Sequence, residues 1–184
     1  MLQAQVVAPH WSARMGPSDQ RFIEMMVSHH DGAIAMADLA LTRARRPEIK
    51  EMARSIKASQ TRENEQMRRW YRQWFNADLP KWEPGIGWGW HHGGMMGGIG
   101  IPGSADRGRG PWMGTNLEAL RQASDFDRVI IEQMIPHHQM GVMMATMELN
   151  SSQRPEMRKL AEDMVRVQSD EINTMQRWYR NWYS

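Results

Sequence analysis

The segment Met25 to Met36, MMVSHHDGAIAM, returns as QMIPHHQMGVMM from Gln133 to Met144, and one offset of 108 residues aligns 19–76 with 127–184 without a gap. Of those 58 pairs 21 are identical, among them Glu24/Glu132, Met26/Met134, His29/His137, His30/His138, Met36/Met144, Pro47/Pro155, Glu63/Glu171, Met67/Met175, Trp70/Trp178 and Trp74/Trp182. In a chain of 184 residues, such a repeat predicts two half-domains that share one core, hence a single domain over 1–184. Duplication accounts for shared spacing and apolar positions. It does not by itself account for histidines and thioethers kept at matched sites.

Each copy reads as a helical hairpin. Phe22, Met26, His29, Ala33, Met36 and Ala40 recur at intervals of three and four after a possible cap at Ser18 or Asp19, which predicts a helix running to about Arg43. Pro47 followed by Glu48 suits the first turn of a second helix, because proline loses no hydrogen bond there and an acid faces the positive end of the helix dipole. That helix carries Ile49, Met52, Ile56, Gln60, Glu63, Met67, Trp70 and Trp74, with two polar residues in the middle of its stripe. The second hairpin repeats the plan after Ser124 or Asp125, with Ile130, Met134, His137, Gly141 and Met144 on one helix and Pro155 and Glu156 opening the next. Pro136 replaces Ser28 and is expected to bend its helix. Two hairpins with one apolar face each predict an all-α, ferritin-like four-helix bundle with an approximate twofold axis, from hairpins 18–76 and 124–184.

The connection between them, 77–123, contains EPGIGWGWHHGGMMGGIGIPG and is too rich in Gly and Pro for regular structure, apart from a short helix from Asn116 to Gln122. Residues 1–17 read as an irregular arm. With 23 Lys and Arg against 21 Asp and Glu, the net charge of +2 points to no nucleic-acid partner. No run of about 18 apolar residues predicts a membrane span, and the opening residues lack the basic and apolar regions of an export signal. The absence of cysteine excludes disulfides and thiolate ligands, while 18 methionines supply thioethers.

Helical spacing brings Met26, His29, His30 and Met36 to one side of the first helix, and antiparallel pairing sets His29 level with Glu63 and Met26 level with Met67. The second hairpin repeats the layer with Met134, His137, His138, Met144, Glu171 and Met175. Thioether sulfur holds Cu(I) or Ag(I) and binds hard divalent ions poorly, whereas imidazole accepts both oxidation states of copper. Mixed Met and His therefore point to copper. His91, His92, Met95 and Met96 form a third concentration of the same donors in the linker. Glu63 and Glu171 suit a carboxylate bonded to His29 or His137, fixing the imidazole tautomer rather than touching the metal. Gln60 and Gln168 read as structural hydrogen-bonding residues. Met52, Met147, Met157 and Met164, with no histidine beside them, read as core packing, a role open to the other methionines as well. The Arg-Trp-Tyr-Arg segments at 69–72 and 177–180 read as the aromatic ends of the bundle.

Asp19-x2-Phe22-x3-Met26-x2-His29-His30-x2-Ala33-x2-Met36-Ala37, Glu63-x3-Met67-x2-Trp70 and their second copies resemble the DUF305 family, which includes copper-binding proteins of the CopM type. The two copies cover 116 of the 184 residues. The resemblance implies a ferritin-like bundle exported to the periplasm or cell surface, with a role in copper binding and resistance. It makes the Met and His members of both motifs the candidate ligands.

The leading expectation is a non-catalytic protein that sequesters or transfers Cu(I), with Cu(II) and Ag(I) also accepted and a copper donor or acceptor protein as partner. Alternatives are a ferritin-like metallo-oxidase, for which the Glu-x-x-His pairs of di-iron bundles are missing, and a bundle holding non-covalent haem between His and Met. A purely structural bundle would show no metal dependence. Free imidazole titrates near ~6.5, so histidine-containing sites are expected to weaken below about pH 6.

Overall fold

The computed structural model describes residues 18–79 and 115–183. They form α1 (Ser18–Arg43), α2 (Pro47–Phe75), α3 (Leu117–Gln122), α4 (Phe126–Ser151) and α5 (Pro155–Tyr183), with no strand among them. The N-terminal arm and most of the expected linker, including His91, His92, Met95 and Met96, lie outside the described residues.

Local chemistry sets the helix ends. Arg46 is extended, at φ −81° and ψ 129°, as a residue before proline prefers, and Pro47 opens α2 at its first helical position. Asn76 closes α2 in the left-handed conformation, at φ 51°, donating its N–H to the Arg72 carbonyl at 3.1 Å. The side chains of Asn116 and Asp125 accept from the N–H groups of Ala119 and Arg128 and start α3 and α4. α4 runs on through Pro136, which stands at the exposed surface, where water can replace the lost backbone bond.

α1 packs on α2, α4 packs on α5, and the two hairpins meet along α1 and α4, giving the all-α bundle. Phe22, Met26, His29, Ala33, Met36 and Ala40 are all buried on α1, as their spacing predicts. On α2 the buried set is Ile49, Ala53, Ile56, Gln60, Asn64, Met67 and Tyr71, so Ala53, Asn64 and Tyr71 are core, while Met52, Glu63 and Trp70 flank it. Angular position on the helix, rather than hydrophobicity, decides which side chain faces inward. Met157 and Met164 are buried as expected; Met147 is 65% exposed and is not a core residue.

The twofold relation of the repeat is visible in paired contacts. Trp70 stacks on Trp74 at 5.1 Å between centroids and Trp178 on Trp182 at 5.3 Å. Tyr71 donates to Glu24 at 2.5 Å and Tyr179 to Glu132 at 2.6 Å. Each hairpin also latches onto the other: Arg154 lies 4.2 Å over Trp74, and its counterpart Arg46 lies 4.0 Å over Trp182. Asp19 pairs with Arg154 at 3.1 Å, while Asp127 accepts from the N–H groups of Arg45 and Arg46, each at 2.9 Å. α3 has no copy among the described residues. It is pinned by the Arg43 guanidinium, which donates to the carbonyls of Leu120, Arg121 and Ala123.

Near the start of α1, Glu148 is buried, and burial together with the adjacent Asp19 pushes its carboxyl pKa up to about 8. The folded chain therefore keeps a proton that the unfolded chain loses near the ordinary value of 4.5. Stability from this group is present at acid pH and declines as the pH rises towards 8. Glu148→Gln should flatten that decline, measured as the urea midpoint from pH 5 to pH 8.

Candidate metal centre

Adjacent residues on a helix point about 100° apart, so His29 and His30 cannot face the same neighbour. His30 turns to α2, where its Nε2 lies 2.7 Å from Glu63 Oε2, and His138 turns to α5, 2.8 Å from Glu171 Oε2. The carboxylates thus pair with the second histidine of each doublet, and not with His29 or His137, the members expected from the level of the turn. His29 turns across the bundle instead. Its Nε2 donates to the His137 carbonyl at 2.9 Å, and its ring stacks on that of His137 with centroids 3.7 Å apart. Within each doublet the rings are 6.3 and 6.2 Å apart, so four imidazoles form one layer between the hairpins.

A neutral imidazole has one N–H, and carbonyls and carboxylates only accept, so Nε2 carries the hydrogen in His29, His30 and His138. Their Nδ1 atoms are then lone-pair acceptors. All three, together with His137 Nδ1, are buried without a hydrogen-bond partner. A buried acceptor left unpaired costs on the order of 1–3 kcal/mol, and three of them in one layer, with His137 Nδ1 beside them, are suited to an electrophile. Gln60 Oε1 and Gln168 Oε1 are likewise buried and unpartnered. Their hydrogen-bonding role, as read from the sequence, is thus not filled at the oxygen. Gly141 makes room here, since a Cβ on it would collide with Gln168 Oε1 and lie 3.1 Å from His29 Cε1.

The methionines fall into two groups on either side of this layer. Met26, Met67 and Met144 belong to one core cluster, and Met134, Met175 and Met36 belong to the other. The offset of 108 exchanges one trio for the other. Met36 and Met144 therefore do not join the groups of their own helices' Met26 and Met134. Ten residues of helix separate each pair by about 15 Å, which no single ion spans. Each trio takes two sulfurs from one hairpin and the third from the other. Met157 and Met164 enlarge the first cluster, where Ile49 and Ile56 hold the matching places in the second. A cavity of about 20 Å³ beside Met134 and Met175, lined otherwise by Ala, Ile, Met52 and Trp178, is large enough for one water-sized body. Among the described residues no three His, Asp or Glu side chains converge as a metal site, so a site built from them needs thioether donors.

Burial first, and the neighbouring His30 second, lower the pKa of His29 to about 3; burial and His29 hold His137 well below 6.5. Proton competition at these two rings therefore begins well below pH 6, not near it. The unfolded chain takes up protons at these histidines near 6.5 and the folded chain does not, so their contribution to stability is complete above pH 6.5 and falls with acidification towards pH 3. His29→Phe should reduce the slope of the urea midpoint against pH between 6.5 and 4; an unchanged slope would show that His29 takes its proton without cost to the fold.

The sequence model of the DUF305 family, a domain of unknown function, matches residues 19–179. The fold is similar to CopM in the Cu(I)-bound form, 42% identical over 90% of this chain and 98% of that chain, with a TM-score of 0.72. It is similar to CopM in the Cu(II)-bound form, at 45% identity over 90% and 97% of the two chains and a TM-score of 0.72. A DUF305 fragment from Deinococcus radiodurans is 27% identical over 87% of this chain and 93% of that one, with a TM-score of 0.63. No match was found among proteins of curated function. With its motifs, its bundle and residues 19–179 all matched, the chain belongs to the DUF305 family.

Proposed function

We propose that this protein binds copper, chiefly as Cu(I), with Cu(II) and Ag(I) also accepted, and that it sequesters or hands on the ion without catalysing a reaction. The observation that carries this reading is the layer of four buried, unpartnered Nδ1 atoms flanked by two symmetric methionine trios. The ligands are Met26, Met67 and Met144 with Met134, Met175 and Met36, joined by His29, His30, His137 and His138. His91, His92, Met95 and Met96 of the linker act as additional donors. Soft sulfur suits a monovalent soft ion, and Nδ1, presented by an Nε2–H anchored on Glu63 or Glu171, adds a donor that tolerates both copper oxidation states. The similarity to CopM structures described as Cu(I)-bound, Cu(II)-bound and Ag-bound supports the same assignment. A thioether site does not oxidise to a disulfide, which suits a copper-homeostasis role in the periplasm or outside the cell, where a donor or acceptor protein would meet it. No helix among the described residues is long and apolar enough to cross a membrane.

Titration of the purified chain with Cu(I) against a chromophoric chelator tests the assignment. Met26, Met67 and Met144 replaced together by Leu keep core volume, yet should weaken one class of site by at least tenfold. At 100 times the dissociation constant, the bound ion should stabilise the wild type by about 2.7 kcal/mol in a thermal melt. A wild type that binds no Cu(I), or a triple variant that binds it unchanged, would refute the copper assignment.

A further inference from the structure

The two methionine trios are related by the repeat, but their surroundings are not. On α4, Met143 is 50% exposed and Met147 is 65% exposed. With Met25 at 38%, they are the exposed large hydrophobic residues among those described. Met140, half buried, packs against the core cluster of Met26, Met67 and Met144. Along α4, Met140, Met143, Met144 and Met147 lie within a sector of about 100°. Each stands three or four residues from the next on that face, where side chains are neighbours with Cβ atoms about 5–6 Å apart. Thioethers thus run without interruption from solvent at Met147, through Met143 and Met140, to the buried Met144.

Among the described residues α1 carries no matching ladder, and the further thioether beside the second trio is half-buried Met52 of α2, which lines the cavity next to Met134 and Met175. The positions that match Met140, Met143 and Met147 are Gly32, Ala35 and Leu39. Gly32 is buried, and a Cβ on it would lie 3.3 Å from both Thr115 and the His137 ring. Leu39 packs on the core, and α3 lies against α1 on this half of the bundle.

We propose that Met140, Met143 and Met147 form a surface ladder along which a soft monovalent ion passes to and from the Met26, Met67 and Met144 cluster. The proposal rests on the copper-binding reading and adds an asymmetry to it: one trio exchanges its ion quickly, and the other, shut behind α3, exchanges it slowly. A weakly bound Cu(I) or Ag(I) needs only two or three soft donors at a time, so neighbouring thioethers pass it on by ligand substitution, with no change of charge or oxidation state.

Release of Cu(I) from the fully loaded full-length chain to excess chromophoric chelator, followed by stopped flow, tests this. The wild type should release in two phases. The variant M140L/M143L/M147L should slow the fast phase at least tenfold, leave the slow phase unchanged and keep the equilibrium affinity of the buried sites within about twofold. Release in one phase, or a fast phase unaltered in the variant, overturns the ladder while leaving the binding assignment standing. A wild type that takes up no Cu(I) overturns the binding assignment itself.

Discussion

The arrangement depends on where the imidazole hydrogens are held. Glu63 and Glu171 take the Nε2–H of His30 and His138, and the His137 carbonyl takes that of His29. Each bond joins two helices, so it sets the register of a hairpin or of the two hairpins and at the same time turns a lone pair into the interior. A buried imidazole in an ordinary core would satisfy both nitrogens. Here Nδ1 is left without a partner in these three rings and in that of His137, and burial keeps His29 and His137 neutral. Structural anchoring and availability for a ligand are two ends of the same ring.

The twofold axis then does something that neither hairpin does alone. Because α1 and α4 meet at the histidine layer, the far end of each helix extends into the other hairpin's half of the core. Met36 therefore completes the group of Met134 and Met175, and Met144 completes that of Met26 and Met67. Duplication produced shared sites rather than two independent ones. The outer contacts of Arg46 with Trp182 and Arg154 with Trp74 hold the hairpins in this relation at both ends.

Departures from symmetry occur in the core, where Met157, Met164 and Glu148 match Ile49, Ile56 and Ala40, and again where the two halves meet solvent. Among the described residues α3 and the Arg43 guanidinium that pins it have no counterpart in the other half. Exposed Met143 and Met147 stand where the first hairpin has Ala35 and Leu39. The six methionines of the trios are matched in the two halves, whereas the buried Met157 and Met164 beside the first trio and the covering of both are not.

The sequence by itself determined the helices, their ends and the donor types. Pro47 and Pro155, the cap at Asp125, and the period of the apolar stripes are local properties, and the offset of 108 residues already required matched His and Met positions. Which donors share a site was decided only by the tertiary structure. Spacing along one helix could not separate Met36 from Met26, because it records direction around the axis and ignores which partner lies 15 Å further on. For the same reason the pairing of Glu63 with His30 rather than His29, the burial of Asn64 and Tyr71, and the exposure of Met147 were not legible. Each depends on where a second helix lies, and a stripe of residues on one rod carries no record of its neighbour's position.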